Sequence, residues 1–315
     1  MANEDDIHAA AEALREGRLA ILPTETVYGL GADASNAEAV AAIFEAKGRP
    51  RFNPLIAHVA DLTAARAIAH LDDRALSLAV AFWPGPLTLV APYIGGEAVC
   101  DLARAGLDTV AVRVPAHPAA RAVLAAAGRP VVAPSANRSG RPSPTNHADA
   151  VEETGDAVAI ALDGGPCAMG LESTVIAVLP DAPLRLLRLG SIPREDVERI
   201  AGVRLAEAET DAKRTPGRLA AHYAPDAPVR LNAEGPRVGE VFLDFGPNPL
   251  ALGEGPDIMN LSRVGDLKEA AANLFAMLRA ADRRHPAGIA VAPIPNHGLG
   301  EAINDRLKRA AGFVG

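Results

Sequence analysis

The run Leu22-Pro-Thr-Glu-Thr-Val-Tyr-Gly-Leu-Gly31 and, further along, the run Lys47-Gly-Arg-Pro-Arg-Phe-Asn-Pro-Leu55 carry most of what this chain discloses. The first places the hydroxyls of Thr24 and Thr26 and the carboxylate of Glu25 where a short strand reaches a turn. The carboxylate suits an ammonium group and a hydroxyl suits a carboxylate, so the segment has the chemistry to orient a zwitterion. The second places Lys47, Arg49, Arg51 and the Asn53 amide in a loop broken by Gly48 and Pro50. Arginine makes bidentate contacts to phosphate oxygens and lysine acts as a point charge. Together the two runs describe a pocket for an amino acid at one end and a polyphosphate at the other. Each also has a plainer meaning on its own, a strand end capped by threonines and a solvated cationic loop.

Around these runs the pattern alternates between helix and strand. Apolar period predicts helices over 7–15, 64–69, 73–82, 118–127, 149–154 and 194–200. Ser35-Asn-Ala-Glu38 has capping-box spacing before a helix carrying Val40, Ile43 and Phe44, which Gly48 ends. Short apolar runs predict strands over 19–22, 55–59, 87–91, 110–114, 131–133, 157–162, 173–178 and 184–188. This is an α/β pattern with some antiparallel strands. From 206 to 227 the period fails, and Thr215-Pro-Gly217 and His222-Tyr-Ala-Pro225 read as a linker that docks on something. Strand 238–245, helix 267–281, strand 288–294 and helix 301–310 then predict a small, doubly wound parallel sheet. The expected division is 1–207, a linker over 208–227, and 228–315.

Composition narrows the class. The chain has 315 residues, 49% apolar and only 3% aromatic, so alanine and the aliphatics must fill its cores. Net charge is 31 − 39 = −8, which disfavours coating nucleic acid with the whole surface. Two cysteines, Cys100 and Cys167, exclude a disulfide framework and a four-cysteine zinc site. No apolar run approaches the ~18 residues of a membrane span, and the acidic start lacks the basic segment of a signal peptide. A cytoplasmic protein with no membrane contact is expected.

Three further segments carry candidate chemistry. Ala133-Pro-Ser-Ala-Asn137, continued by Ser139-Gly-Arg-Pro-Ser143, combines small residues with hydrogen-bonding side chains. Thr109 and Arg113 lie four apart on one strand and so share a face; a buried arginine there needs an anion. Glu172-Ser-Thr174 and Arg188 end two late strands. No P-loop, zinc-protease motif or nucleophile elbow occurs, which favours chemistry by positioning and charge.

In order, Pro23-Thr-Glu-Thr-Val-Tyr-Gly-Leu, Lys47-Gly-Arg, Asn53-Pro-Leu, Val112-Arg-Val-Pro, Pro134-Ser-Ala-Asn, Glu172-Ser-Thr and Leu187-Arg-Leu-Gly190 are similar to the motifs of the L-threonylcarbamoyl-adenylate synthases. The linker and the added C-terminal unit resemble the long, two-domain form. The resemblance covers nearly the whole chain. It implies a YrdC-like twisted mixed sheet with a large, positively charged cleft, plus a small Rossmann-like α/β domain. It implies nucleotidyl transfer: L-threonine, bicarbonate and ATP, with Mg²⁺ carried mainly on the ATP phosphates, give threonylcarbamoyl-AMP and pyrophosphate. The product passes to a tRNA threonylcarbamoyltransferase, and a weak contact with tRNA is part of the same expectation.

By motif position, Thr26, His58, Arg113, Ala133 and Ser173 hold threonine. Lys47, Arg49, Asn53, Thr109, Ser135, Ser143 and Arg188 hold the nucleotide, with His222 and Tyr223 in the covering linker, and Lys47 and Arg49 act in catalysis. Two departures stand out. Ala220 and Ala221 replace a Tyr and an Arg common before the His, and Leu189 stands where a Pro is frequent. The competing readings are an RNA-binding module built on Lys47, Arg49, Arg51 and Arg141, and a carbamoyl-transfer domain of hydrogenase maturation. Scarce aromatics count against the first, and the two lone cysteines against the second.

Overall fold

The computed structural model describes residues 2–50, 52–207, 223–247 and 257–312. Arg51, His222 and the linker positions from Thr215-Pro-Gly217 to Ala221 lie outside the described residues.

The first part of the chain runs α1 (Glu4–Arg15), β1 (Ala20–Leu22), β2 (Gly29–Asp33), α2 (Ala37–Lys47), β3 (Ile56–His58), α3 (Leu62–Arg66), α4 (Asp73–Phe82), β4 (Leu87–Pro92), α5 (Asp101–Arg104), β5 (Thr109–Arg113), α6 (Pro118–Ala127) and β6 (Val131–Val132). It continues through α7 (His147–Thr154), β7 (Ile160–Ala161), β8 (Thr174–Ala177), β9 (Arg185–Arg188), α8 (Arg194–Ala201) and β10 (Ala206–Glu207). The strands form one ten-stranded sheet in the order β10-β9-β8-β4-β5-β3-β6-β2-β1-β7. It is mixed: β3 pairs parallel with β5, and β4 parallel with β8, while β2–β6, β3–β6 and β4–β5 are antiparallel. The second part comprises β11 (Val229–Arg230), β12 (Glu240–Asp244), β13 (Ile258–Asn260), α9 (Leu267–Asp282), β14 (Gly288–Val291) and α10 (Leu299–Ala310). Its four strands pair only in parallel, in the order β11-β14-β12-β13.

Local signals explain most boundaries, and two expectations change. α2 is capped by Asn36, whose side chain accepts from the Glu38 and Ala39 amides, not by Ser35. Ser35 turns back to donate to Asp33 Oδ1, as serine readily does beside a turn. Gly48 takes φ +58 and ends α2 as expected. The segment expected as a turn after Thr26 is strand β2. Gly29 and Gly31 serve it because a Cβ would sit 3.1 Å from the Ala133 Cβ at one and 3.3 Å from the Ala20 carbonyl at the other.

The two parts share a packed boundary. Leu274, Phe275 and Leu278 on α9 are fully buried, worth about 1.5–3 kcal/mol each relative to exposure. The core they form also takes in Val27, Leu171 and Tyr223, residues of the first part and its junction. Gly170, at φ +68, meets α9 so closely that a Cβ would stand 2.5 Å from the Ala271 carbonyl oxygen and the Ala272 Cα. Arginines of α9 and α10 reach across: Arg279 pairs with Glu153 at 2.9 Å and Arg306 with Glu172 at 2.9 Å, all four side chains buried. Such pairs tolerate loss of one partner poorly, because the other is left as a buried charge.

Candidate active site

The ends of β3, β5, β8 and β9, with the loops before β2 and after β6, converge on one hollow. Counted out to its open mouth, with the space continuous with solvent included, it holds about 540 Å³. Of the residues singled out in the sequence, Thr26, Arg49, His58, Arg113, Ala133, Ser135, Ser173, Arg188 and Tyr223 line it. The cationic loop, the threonine run and the Pro-Ser-Ala-Asn run are therefore neighbours in space.

Each side chain is held by partners that the local fold supplies. Thr24 Oγ1 donates to the Val27 carbonyl at 2.6 Å and lies 2.8 Å from Thr26 Oγ1, fixing the turn. Arg113 ends β5 and donates through Nη1 to Thr26 Oγ1 at 3.0 Å and through Nε to the Gly85 carbonyl at 3.2 Å. Its Nη2 donates to Glu25 Oε1 at 2.6 Å, and the Ala116 amide donates to the other Glu25 oxygen at 3.0 Å. Burial alone would raise the Glu25 carboxyl, yet the Arg113 charge and these bonds hold it below its ordinary value. Glu25 thus serves Arg113, not a ligand ammonium as the sequence suggested.

Ser173 and Arg188 form another stretch of the wall. Arg188 donates from Nε to the Ser173 carbonyl at 3.0 Å and from Nη2 to Ser173 Oγ at 2.9 Å, and Thr88 Oγ1 lies 2.7 Å from the same hydroxyl. Gly190 makes this packing feasible. A Cβ there would fall 2.4 Å from the Glu172 carbonyl oxygen, a backbone atom with no room to retreat. Tyr223 closes this side, stacked on Phe275 at 5.3 Å between ring centroids. Its φ of +65 is rare for a bulky residue and is sustained only where the surroundings enforce it.

Arg49 is the outlier in charge balance. It is half-buried, yet its contact to the Pro54 carbonyl is a marginal 3.5 Å, and its Nε, shielded from solvent, has no partner among the described residues. Burial, then the charge of Arg188, hold its guanidinium down to about 10. Two half-buried guanidiniums lining one hollow, close enough for each charge to bear on the other, describe a place for a strong anion. The neighbouring Asn53 is buried with an unpartnered Oδ1.

Four sequence candidates lie off the wall. Lys47 is buried and its ammonium donates to the Ser135 and Asn137 carbonyls, holding the loop that forms the wall. Burial, then Arg49, push its pKa well below the ordinary lysine value. Asn53 sits beside the wall residues Pro54 and Leu55. Ser143 is buried and donates to Glu172 Oε1 at 2.6 Å. Thr109 begins β5, while Arg113 ends it, about 13 Å away at the rise of a strand. Residues the sequence reading missed include Thr88 and the C-terminal Arg306. The second had a signal: an arginine beside Leu307 on the apolar face of α10. Cys167 is an inert thiol, pushed up to about 12 by burial.

His58 lies in the wall with Nδ1 3.1 Å from the Ile56 carbonyl. Burial, then Arg113, lower its pKa from 6.5 to about 3, so it stays neutral in the fold. The unfolded chain binds that proton near pH 6.5, so stability is complete above that value and is lost as pH falls from about 6.5 to about 3. Urea denaturation between pH 7.5 and 5 is expected to show a slope of up to ~1.4 kcal/mol per pH unit. His58→Asn, whose amide can still donate to the Ile56 carbonyl, should remove that slope; an equal slope in the variant would assign it elsewhere.

Comparison with known proteins places the chain in a family. The family described as "Telomere recombination" matches residues 12–190, and "Threonylcarbamoyl-AMP synthase, C-terminal domain" matches residues 192–312. The threonylcarbamoyl-AMP synthase of Pyrococcus abyssi is 42% identical over 98% of this chain and 94% of its own, and that of Bacillus subtilis is 37% identical over the same shares. Among solved structures, P. abyssi Sua5 complexed with L-threonine superposes with a TM-score of 0.89 at 38% identity, covering 99% of this chain and 96% of that one. E. coli YciO shares the fold of the first domain, with a TM-score of 0.54 over 60% of this chain. On these matches, which span both domains, the chain belongs to the threonylcarbamoyl-AMP synthase family in its two-domain form.

Proposed function

We propose that this chain makes L-threonylcarbamoyl-AMP from L-threonine, bicarbonate and ATP, releasing pyrophosphate, for threonylcarbamoyladenosine modification of tRNA. The observation that carries the chemistry is the under-partnered Arg49, which lines the hollow together with Arg188 and feels its charge. The threonine end is the Thr26–Arg113–His58 side with Ala133 and Ser173. The nucleotide end is Arg49, Ser135, Arg188 and Tyr223, with Asn53 beside it. Thr109 is left out of this set, and Lys47 and Ser143 act by holding wall residues in place.

Bicarbonate takes up a proton and loses water to give CO₂; the neutral threonine amine attacks its carbon and gives up a proton in turn, forming a carbamate with water as the by-product. A carbamate oxygen then attacks the α-phosphorus of ATP as the bond to the bridging oxygen breaks and pyrophosphate leaves. Both partners are anionic, so their mutual repulsion is a major part of the barrier. Two guanidiniums in a poorly solvated pocket lower it, because charge–charge terms grow as water is excluded. Burial also protects the carbamate from hydrolysis.

ATP would arrive with Mg²⁺ on its phosphates. Among the described residues no group of three or more His, Cys, Asp or Glu is placed to hold a metal ion. The cavity wall's carboxylate, Glu172, has both oxygens engaged by Ser143 and Arg306. The protein donors therefore do not fit a resident Mg²⁺, and no step is assigned to one. A cytoplasmic setting and hand-over to a tRNA threonylcarbamoyltransferase belong to the same proposal.

Pyrophosphate release by the full chain tests it. Release is expected to require threonine and to stop in CO₂-depleted buffer until bicarbonate is returned. ATP turnover indifferent to either substrate would contradict the reading.

A further inference from the structure

Glu172 stands on the cavity wall but spends neither oxygen there. One accepts from Ser143 at 2.6 Å and the other from Arg306 Nε at 2.9 Å. Arg306 belongs to α10 of the C-terminal domain and lies 134 positions away in sequence. It is 1% exposed, and its other contacts cluster in the same place. Nη2 donates to the Leu189 carbonyl at 2.7 Å, next to the wall residue Arg188. The guanidinium carbon lies 5.2 Å from the centre of the Tyr223 ring. Only Nη1, on Asp305 at 2.7 Å, is turned back to its own helix.

The arginines that α9 and its C-terminal cap send across the domain boundary behave differently. Arg279 pairs with Glu153, and Arg283 with Asp149 and Glu152; none of those acids lines the hollow. They fasten one domain to the other. Arg306 alone among these three addresses cavity-wall groups. Its planar fork satisfies Glu172 and the Leu189 carbonyl at once while its face covers Tyr223, a combination a flexible ammonium does not reproduce.

We propose that Arg306 is a positioning residue of the adenylate-forming site, supplied by the C-terminal domain to fix the Glu172 carboxylate, the Arg188–Leu189 strand end and the Tyr223 ring. The inference rests on the reaction proposed above. It gives the second domain a role in the geometry of the site, not only in covering it. Losing the guanidinium strands Glu172 as a buried charge. Ser143, Arg188 and Tyr223 then lose a common brace, and the nucleotide end of the wall loosens.

The test uses the full chain and steady-state pyrophosphate release, with threonylcarbamoyl-AMP identified by mass spectrometry. A wild-type chain that forms no such product defeats the proposed reaction, whatever Arg306 does. Given an active wild type, Arg306→Met is expected to lower kcat/KM for ATP by about 10–100-fold, the scale seen when supporting residues of a site are removed. Arg306→Lys should recover part of the loss. Arg283→Ala, which cuts an equally long-range fastening away from the wall, should stay within about twofold of wild type. Glu172→Gln combined with Arg306→Met should be no worse than Arg306→Met alone, because both changes remove one brace.

The inference is overturned if Arg306→Met keeps wild-type kcat and KM. It is equally overturned if Arg283→Ala loses as much, or if the Glu172 and Arg306 losses multiply. Should Arg306→Met not fold, Arg306→Lys and Glu172→Gln are compared with Arg283→Ala by the same criteria.

Discussion

Replacing Arg49 by Met is expected to lower threonine-dependent pyrophosphate release by about 10²–10³-fold, the scale seen when one preorganised charge-stabilising group is removed. The fold should survive, because Arg49 contributes only a marginal bond to the Pro54 carbonyl and its removal relieves repulsion with Arg188. Thermal stability should therefore hold or rise while activity falls, an opposition typical of residues strained for function. Arg49→Lys should recover little, since a single ammonium cannot reproduce a fork aimed at several phosphate oxygens. Steady-state release and a thermal melt on the same preparations measure both. A variant within about threefold of wild type would remove Arg49 from the reaction. Lys47 makes the contrast. Its ammonium is committed to the Ser135 and Asn137 carbonyls, so Lys47→Met should lower stability together with activity.

Arg113→Met should have the largest effect on stability. It leaves Glu25 buried without its counter-charge, and removal of one member of such a pair costs about 3–5 kcal/mol. Urea unfolding at pH 7 should register that loss. Adding Glu25→Gln removes the stranded charge and should return part of the stability. It should not return threonine affinity, because the guanidinium beside Thr26 is still missing. Titration of threonine into the stabilised double variant separates the two roles. Restored binding would show that Arg113 serves the fold alone.

Much of the site could be read in the chain because its pieces are local. The Pro-Thr-Glu-Thr run, the Lys-Gly-Arg loop and the Pro-Ser-Ala-Asn run each sit where a strand or helix ends, and α/β sheets gather ligands at such ends. What the sequence could not settle was which polar group faces the ligand. Glu25 and Arg113 are 88 positions apart and neutralise each other; nothing local announces that pairing. Lys47 reads as a phosphate ligand by type but is drawn behind the wall by two carbonyls 88 and 90 positions away. Thr109 shares a strand face with Arg113 yet lies too far along it.

The fold shows the same division. Helices with caps and apolar period lie near their expected places. Strand β2 was hidden because its Gly29-Leu-Gly31 pattern reads as a turn, and its glycines answer to close neighbours instead. β11 and β13, two and three residues long, are too short to carry a period. The fastening of the second domain through Arg279, Arg283 and Arg306 is a tertiary fact. Arginines on amphipathic helices look like solvated positions until the opposing acids are placed.

The central claim is that one buried, cationic hollow brings a threonine-derived carbamate to the α-phosphorus of ATP. Mass spectrometry of products after incubating the full chain with ATP, L-threonine, Mg²⁺ and isotopically labelled bicarbonate tests it most directly. The account predicts threonylcarbamoyl-AMP carrying the label, in equal amount with pyrophosphate. An unlabelled threonine–AMP adduct, or ATP left unconsumed, would contradict it.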